Sequence, residues 1–319
     1  TMKKLRVGVV GVGYLGKFHA EKYALMDDVD LVGVVDTNIS QAEDVAGKVN
    51  TKAYPGHEDL LGKVDAVSIV VPTPAHYAVA KDFLENDVDI LIEKPMTTSL
   101  AEADDLIRFS ESRGLILQVG HLERFNPAVV ALQDIVKKPM FIESHRLSIY
   151  KDRSTDVSVV LDLMIHDIDI ILNFVRSDII SIHAAGTSVI SGHVDIANAR
   201  LEFKNGCVAN VTASRISTKN ERKIRLFQND AYVSVDFASH EITIVQQNDK
   251  GAGGLIPGMD INKQCFIKGD ALDDELKSFV KAVSRREAPE VTGQMGRDAL
   301  KIALSIMEQI SITSSRFVS

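Results

Sequence analysis

Short apolar runs alternate with amphipathic stretches along the first third of the chain. Leu5–Val10, Leu31–Val35, Ala66–Val71, Asp89–Ile92 and Leu115–Val119 are rich in valine and isoleucine and read as buried strands. Segments of helical period lie between them. That alternation predicts a parallel sheet with helices on both faces. Two helix starts are punctuated. Thr73 followed by Pro74 predicts an N-cap with proline at the first helical position. Ser99 with Glu102 three residues on predicts a capping box, and Gly114 closes that helix.

The pattern changes after His121. Asn126-Pro127 opens another helix and Phe141–Tyr150 reads as a strand. Strand-like runs then follow at short spacing: Ile179–Ile190, Val194–Phe203, Cys207–Ile216, Lys223–Phe227, Ala231–Phe237 and Glu241–Gln246. Lys204-Asn205-Gly206 and Asn229-Asp230 supply hairpin turns, so an antiparallel sheet in an α+β domain is expected. Ala252–Gly258 is a Gly/Pro loop, expected to be mobile, and helices near Ala271–Arg286 and Gln294–Ile312 follow it. There is no internal repeat.

With 319 residues the chain exceeds what one hydrophobic core usually serves, which favours two domains. The expected division is residues 1–122 and residues 123–319, with the C-terminal helix able to pack back on the first. A formal charge of −8 argues against a general nucleic-acid binder. No apolar run reaches the ~18 residues of a membrane span. Lys3 and Lys4 lead into a strand, not a signal-peptide core, and Cys207 and Cys265 have neither zinc nor redox spacing. The expectation is a reduced, cytoplasmic protein with no metal and neither membrane nor nucleic acid as partner.

The first strand runs into Gly11-Val12-Gly13-Tyr14-Leu15-Gly16 and then a helix. Glycine is needed there for a tight turn, for close approach to a pyrophosphate and for helix–strand contact, while the helix N-terminus offers N–H donors. The second strand ends in an acid, Asp36, twenty residues past Gly16, as a dinucleotide site requires. A carboxylate there accepts from the ribose hydroxyls and repels a 2′-phosphate. Thr37 and Asn38 bring no arginine, so NAD is expected over NADP.

Lys94 ends the run Ile90–Glu93 ahead of Pro95. Ligands of doubly wound sheets sit off the carboxyl ends of strands, so Lys94 reads either as a partly desolvated acid–base group or as a surface lysine beside a turn. In Asp156–Val175 nearly every position off one stripe is Val, Leu, Ile or Met, and Asp162, His166, Asp169 and Asn173 form that stripe at spacings of four, three and four. An ideal helix puts those on one face, where they line a cavity or form a satisfied core network. No further His/Cys/Glu cluster completes a metal set.

Together these motifs resemble the glucose–fructose oxidoreductase/inositol dehydrogenase (Gfo/Idh/MocA) family: Gly11–Gly16, Val71–His76, Glu93-Lys94-Pro95, Gly120–Pro127 and the Asp162/His166 pair stand in the expected order. The resemblance implies a Rossmann domain for NAD, then a substrate-binding α+β domain with a large open-faced antiparallel sheet through which subunits pair as dimers or tetramers. It implies Lys94, Asp162 and His166 as the catalytic set. It places Gly11, Gly13, Tyr14, Leu15, Gly16, Asp36, Thr73, Pro74, His76, Glu93 and Lys94 at the cofactor. Lys94, Arg124, Asn126, Asp162 and His166 would contact the sugar. Within the family, ERFNP, Ser144–Ser148, Val160–Leu172 and Asn205–Arg215 resemble the bacterial branch oxidising the 3-hydroxyl of UDP-N-acetylglucosamine ahead of an aminotransferase in lipid A synthesis.

The expected reaction is oxidation of a sugar secondary alcohol. His166, or Lys94 acting with it, takes the hydroxyl proton; Lys94 stabilises the alkoxide and Asp162 fixes the neighbouring hydroxyl. Five basic residues in Ser214–Arg225, with Arg146, Lys151 and Arg153, fit either a diphosphate or a solvated sheet edge. Two alternatives stand beside this: an inositol or other polyol dehydrogenase of the same family, and a non-catalytic NAD-sensing protein.

Overall fold

In a computed structural model, residues 4–150, 157–239, 241–247, 258–266 and 269–315 are described. Lys151, Arg153 and Asp156, and the Ala252–Gly258 loop except for Gly258, lie outside the described residues. The chain divides into two units, Thr1–Leu122 with Asp270–Asp298, and Glu123–Gly269 with Ala299–Ser319.

The first unit follows the alternation of its sequence: β1 (Leu5–Val10), α1 (Gly16–Ala24), β2 (Val29–Val35), α2 (Ile39–Val49), β3 (Lys52–Tyr54), β4 (Ala66–Ile69), α3 (Thr73–Glu85), β5 (Asp89–Glu93), α4 (Leu100–Arg113) and β6 (Leu117–Gly120). The strands form a parallel sheet in the order β3-β2-β1-β4-β5-β6. Every residue of β4 and of β5 is buried, as strands covered on both faces require. The order reverses at β1, which lies between β2 and β4, and a ligand crevice forms where a sheet reverses in this way. A further helix, α7 (Ala271–Arg285), packs Leu276 and Phe279 into the same core.

The predicted punctuation is present, with one correction. Ser99 and Glu102 form the capping box, and Gly114 takes the left-handed conformation after α4. Thr73, by contrast, already has helical backbone, so it is the first helical residue rather than the cap. Pro72, extended at ψ 141°, marks the boundary, and no side chain caps α3.

The second unit contains α5 (Pro127–Ile135), β7 (Phe141–Leu147), a five-residue π turn (Val160–Met164) continuing into α6 (Ile165–Val175), and β8 (Ile179–Thr187). Then come β9 (Ile196–Phe203), β10 (Val208–Ser214), β11 (Glu221–Gln228), β12 (Ala231–Asp236), β13 (Glu241–Gln247) and β14 (Met259–Cys265). The sheet order is β14-β13-β12-β11-β7-β10-β9-β8. It is antiparallel apart from β7 and β10, which run parallel because the chain passes through α6, β8 and β9 before returning beside β7. One face packs Ala199, Leu201, Val211, Ile224 and Val233 against Met164, Ile165 and Ile168. The opposite face carries Phe141, Phe227 and Tyr232 in one row, with ring centroids 5.7 and 4.9 Å apart. The last helix, α8 (Gly293–Ser315), begins in the first unit and continues in the second. Gly296 gives it close contact in the first, since a Cβ there would lie 2.5 Å from Val119 Cγ2.

The approach to the π turn is pinned. Val159 N–H donates to the Val194 carbonyl at 2.9 Å, and Arg215 donates to the Val157 carbonyl. Arg215 faces the fully buried Asp195, whose carboxylate accepts the N–H groups of Val189, Ile190 and Ser191 and the Ser191 hydroxyl. Burial alone would raise the Asp195 pKa. Those four donors outweigh it and hold the carboxyl well below the usual carboxylate range.

Candidate active site

In the first unit the glycine turn is built as a nucleotide cradle. Gly11 has φ +86°, and a Cβ there would lie 2.7 Å from the Val70 backbone. At Gly16 a Cβ would stand 1.8 Å from the Gly11 carbonyl oxygen. Both positions demand glycine for the fold itself. Gly13 differs, because a Cβ there meets nothing within 4 Å. Its bareness leaves room beside the chain, as close approach of a pyrophosphate needs. The start of α1 has no acidic residue in its first turn and no side-chain cap, so its N–H groups suit a phosphate. Tyr14, 70% exposed, stands edge-on to Phe18 with Lys17 over both rings.

Asp36 follows β2 and is oriented by backbone donors: Oδ2 accepts the Val12 N–H at 3.0 Å and Oδ1 the Asn38 N–H at 2.9 Å. Gln41 donates from Nε2 to the Val12 carbonyl at 3.0 Å. The acid and the glycine turn are thus one rigid assembly, a link not visible in the sequence. These residues fit a dinucleotide.

Lys94 is half-buried one residue past β5, and its backbone N–H donates to Glu93 Oε2 at 3.3 Å. His76 is buried, with Nε2 2.8 Å from the Val71 carbonyl and Nδ1 3.0 Å from the Pro95 carbonyl. It is a strut between the loops leaving β4 and β5. Its burial pulls the imidazole below its ordinary pKa against two carbonyls acting the other way. Thr73 is half-buried and Pro74 exposed at the start of α3.

In the second unit Asp162 lies on the π turn and His166 is the second residue of α6, both half-buried. The other acids nearby are buried and matched to arginines. Arg124 holds Asp169 through two hydrogen bonds of 2.6 and 3.1 Å. Arg146, from β7, holds Asp167 with contacts of 2.7 to 3.2 Å and reaches Glu123 at 3.3 Å. Arg222 also pairs with Glu123. The four polar residues expected on one stripe therefore separate, with Asp169 drawn inward and Asp162, His166 and Asn173 half-buried. Arg124 spends its fork on Asp169, and Asn126 caps α5 by accepting the Ala128 N–H.

Carboxylates answer the basic cluster. Lys219 pairs with Glu221, Arg225 with Glu143, and Arg215 faces Asp195. Elsewhere in the first unit, His57, Glu58 and Asp82 gather closely, but each imidazole nitrogen of His57 faces a different carboxylate.

Comparison with known proteins agrees with this architecture. The family model described as "Oxidoreductase family, NAD-binding Rossmann fold" matches residues 5–121, and the GFO/IDH/MocA C-terminal domain matches residues 136–245. UDP-N-acetylglucosamine 3-dehydrogenase of Acidithiobacillus ferrooxidans is 39% identical over 308 residues, covering 96% of this chain and 97% of that protein. The chain belongs to the GFO/IDH/MocA family.

As a GFO/IDH/MocA protein it is a dehydrogenase acting on CH–OH groups with a nicotinamide cofactor. Myo-inositol 2-dehydrogenase of Thermotoga maritima is 25% identical over 328 residues, covering 96% of each chain. A solved structure of UDP-N-acetylglucosamine 3-dehydrogenase GnnA from A. ferrooxidans superposes with a TM-score of 0.91 at 37% identity, covering 97% of this chain and 98% of that one. The likeness runs through both units.

Proposed function

We propose that this dehydrogenase oxidises the 3-hydroxyl of UDP-N-acetylglucosamine to the 3-keto sugar nucleotide, with NAD rather than NADP as acceptor. The observation that carries this reading is the 39% identity, over nearly the whole of both chains, to an enzyme of that name, against 25% for the inositol dehydrogenase. A bound nicotinamide supplies the hydride acceptor, so the alcohol carbon loses hydride while the hydroxyl loses its proton. The chain supplies the rest. Lys94 and His166 share the proton-accepting role as coupled groups, Lys94 stabilises the alkoxide charge, and Asp162 fixes the adjacent hydroxyl. The product serves an aminotransferase that makes a 3-amino sugar nucleotide for lipid A in the cytoplasm.

Incubation with NAD and UDP-N-acetylglucosamine, followed by mass spectrometry, should give a sugar nucleotide two hydrogens lighter. An aminotransferase in a parallel reaction should convert it to the amino sugar, which removes any unfavourable equilibrium. No product with the trap present, despite NAD binding, would discard this substrate, and turnover of free inositols instead would support a polyol dehydrogenase.

The carboxylate of Asp36 supports NAD. Asp36→Ser should raise the KM for NAD by about tenfold, a loss of ~1.4 kcal/mol of binding, and narrow the preference over NADP. Initial rates with both cofactors check this, and an unchanged preference would remove Asp36 as the selector. Subunits pair through the outer face of the eight-stranded sheet, where the Phe141, Phe227 and Tyr232 row offers an aromatic contact. Light scattering that returns the mass of one chain would overturn that part.

A further inference from the structure

Three elements of the first unit converge on one carboxylate. His19, on α1, is completely buried, and its Nε2 lies 3.3 Å from Glu93 Oε1, a polar contact off the hydrogen-bond line. Oε2 of Glu93 accepts the Lys94 backbone N–H at 3.3 Å. From β6, Gly120 stands in register with Glu93. A Cβ at Gly120 would lie 2.9 to 3.0 Å from the carboxyl atoms, so any side chain there would push the carboxylate from this position. The helix carrying His19 is itself fixed to the sheet, because Tyr23, one turn on, shares a 2.8 Å hydrogen bond with Ser68 of β4.

Burying a carboxylate and an imidazole in this core is costly, and an apolar pair of the same volume would pack there at less cost. Stability alone does not account for the arrangement. Its geometry shows another use. Lys94 is the first residue past β5, where its N–H has left the strand ladder, and Glu93 supplies the acceptor.

We propose that His19 is a positioning residue for Lys94: it fixes the Glu93 carboxylate, which fixes the Lys94 backbone at the strand end and so aims the lysine side chain. The proposal rests on reading Lys94 as the catalytic lysine. A misplacement of ~1 Å costs about 10²-fold in rate, so the backbone at this point is worth holding.

The test uses the full chain. His19→Phe keeps the ring volume and removes both nitrogens. It should lower kcat by about 30-fold while the NAD dissociation constant and sugar KM stay within about threefold. The Lys94 amide should exchange hydrogen faster, a readout independent of turnover. His19→Gln, which keeps a polar nitrogen able to face the Glu93 carboxylate, should recover about tenfold of the lost rate. A folded His19→Phe protein with kcat within twofold of the parent, or with unaltered Lys94 amide exchange, overturns the proposal. Should His19→Phe not fold, Glu93→Gln takes its place, with slower turnover and a less protected Lys94 amide expected; unchanged values for both overturn it equally. Lys94→Met is assayed alongside. If that variant stays active, the reading of Lys94 fails, while the amide-exchange result still decides whether His19 holds the strand end.

Discussion

Lys94→Met is expected to lower kcat by about 10³-fold or more while NAD binding stays within about threefold. Methionine keeps the apolar stem of lysine and removes only the charged head. The backbone clamp from Glu93 to the residue 94 amide survives the change. The cradle at Gly11, Gly13 and Gly16 and the acid at Asp36 lie on other elements, so most of the dinucleotide's expected contacts stay in place and its affinity should fall little. Single-turnover reduction of NAD, with a fluorescence titration of NAD on the same preparation, separates the two quantities. Near-normal turnover would remove Lys94 from the chemistry.

Breaking the Arg124–Asp169 pair is expected to cost about 3–5 kcal/mol of folding stability, because it leaves one buried charge without its counter-charge. Both side chains are almost wholly buried, and their two hydrogen bonds anchor the 122–126 segment to α6. Arg124→Met should therefore lower the denaturation midpoint sharply, as followed by far-UV circular dichroism. Asp169→Leu added to it should restore most of the loss, because an apolar pair of similar volume needs no counter-charge. An Arg124→Met protein as stable as the parent would show that Asp169 finds another donor. The same experiment bears on whether Arg124 meets substrate directly. A double variant restored in stability and still active would place its role in holding α6.

Why some features were legible and others were not has a physical cause. Strands buried on both faces need uninterrupted Val/Ile runs, so β1, β4 and β5 stood out from their residues alone. The hairpin at Asn205-Gly206 was equally plain, since Gly206 takes φ +89°. Two edge strands escaped notice. β3 is only three residues long, and β14 is almost wholly exposed, so its residues carry no alternation to read. The parallel pairing of β7 with β10 is a matter of topology, which no local pattern encodes.

At the site, the glycine turn was readable because its backbone geometry demands glycine, and the positions of Asp36 and Lys94 because each follows the end of a buried strand. The partners of the acids on α6 were not. Asp162, Asp167 and Asp169 look alike in sequence, and only the fold brings Arg146 and Arg124 to the last two. His19 left a fainter signal, a histidine on the buried side of the helix that follows the glycine turn.

The π turn at Val160–Met164 has a consequence for how the chain tolerates length changes. A π turn holds one residue more than the α-helical turn it replaces. Deleting Leu163 or Met164 would let the segment relax into ordinary α-helix, a gain in local regularity. It would also rotate Asp162 by about 100° relative to His166. The anchors at Val157 and Val159 would be dragged out of register with Arg215 and Val194. An apparently helpful deletion would therefore separate the two residues proposed to act together on the sugar. Ancestry should show in this segment as fixed length more than as fixed residue type.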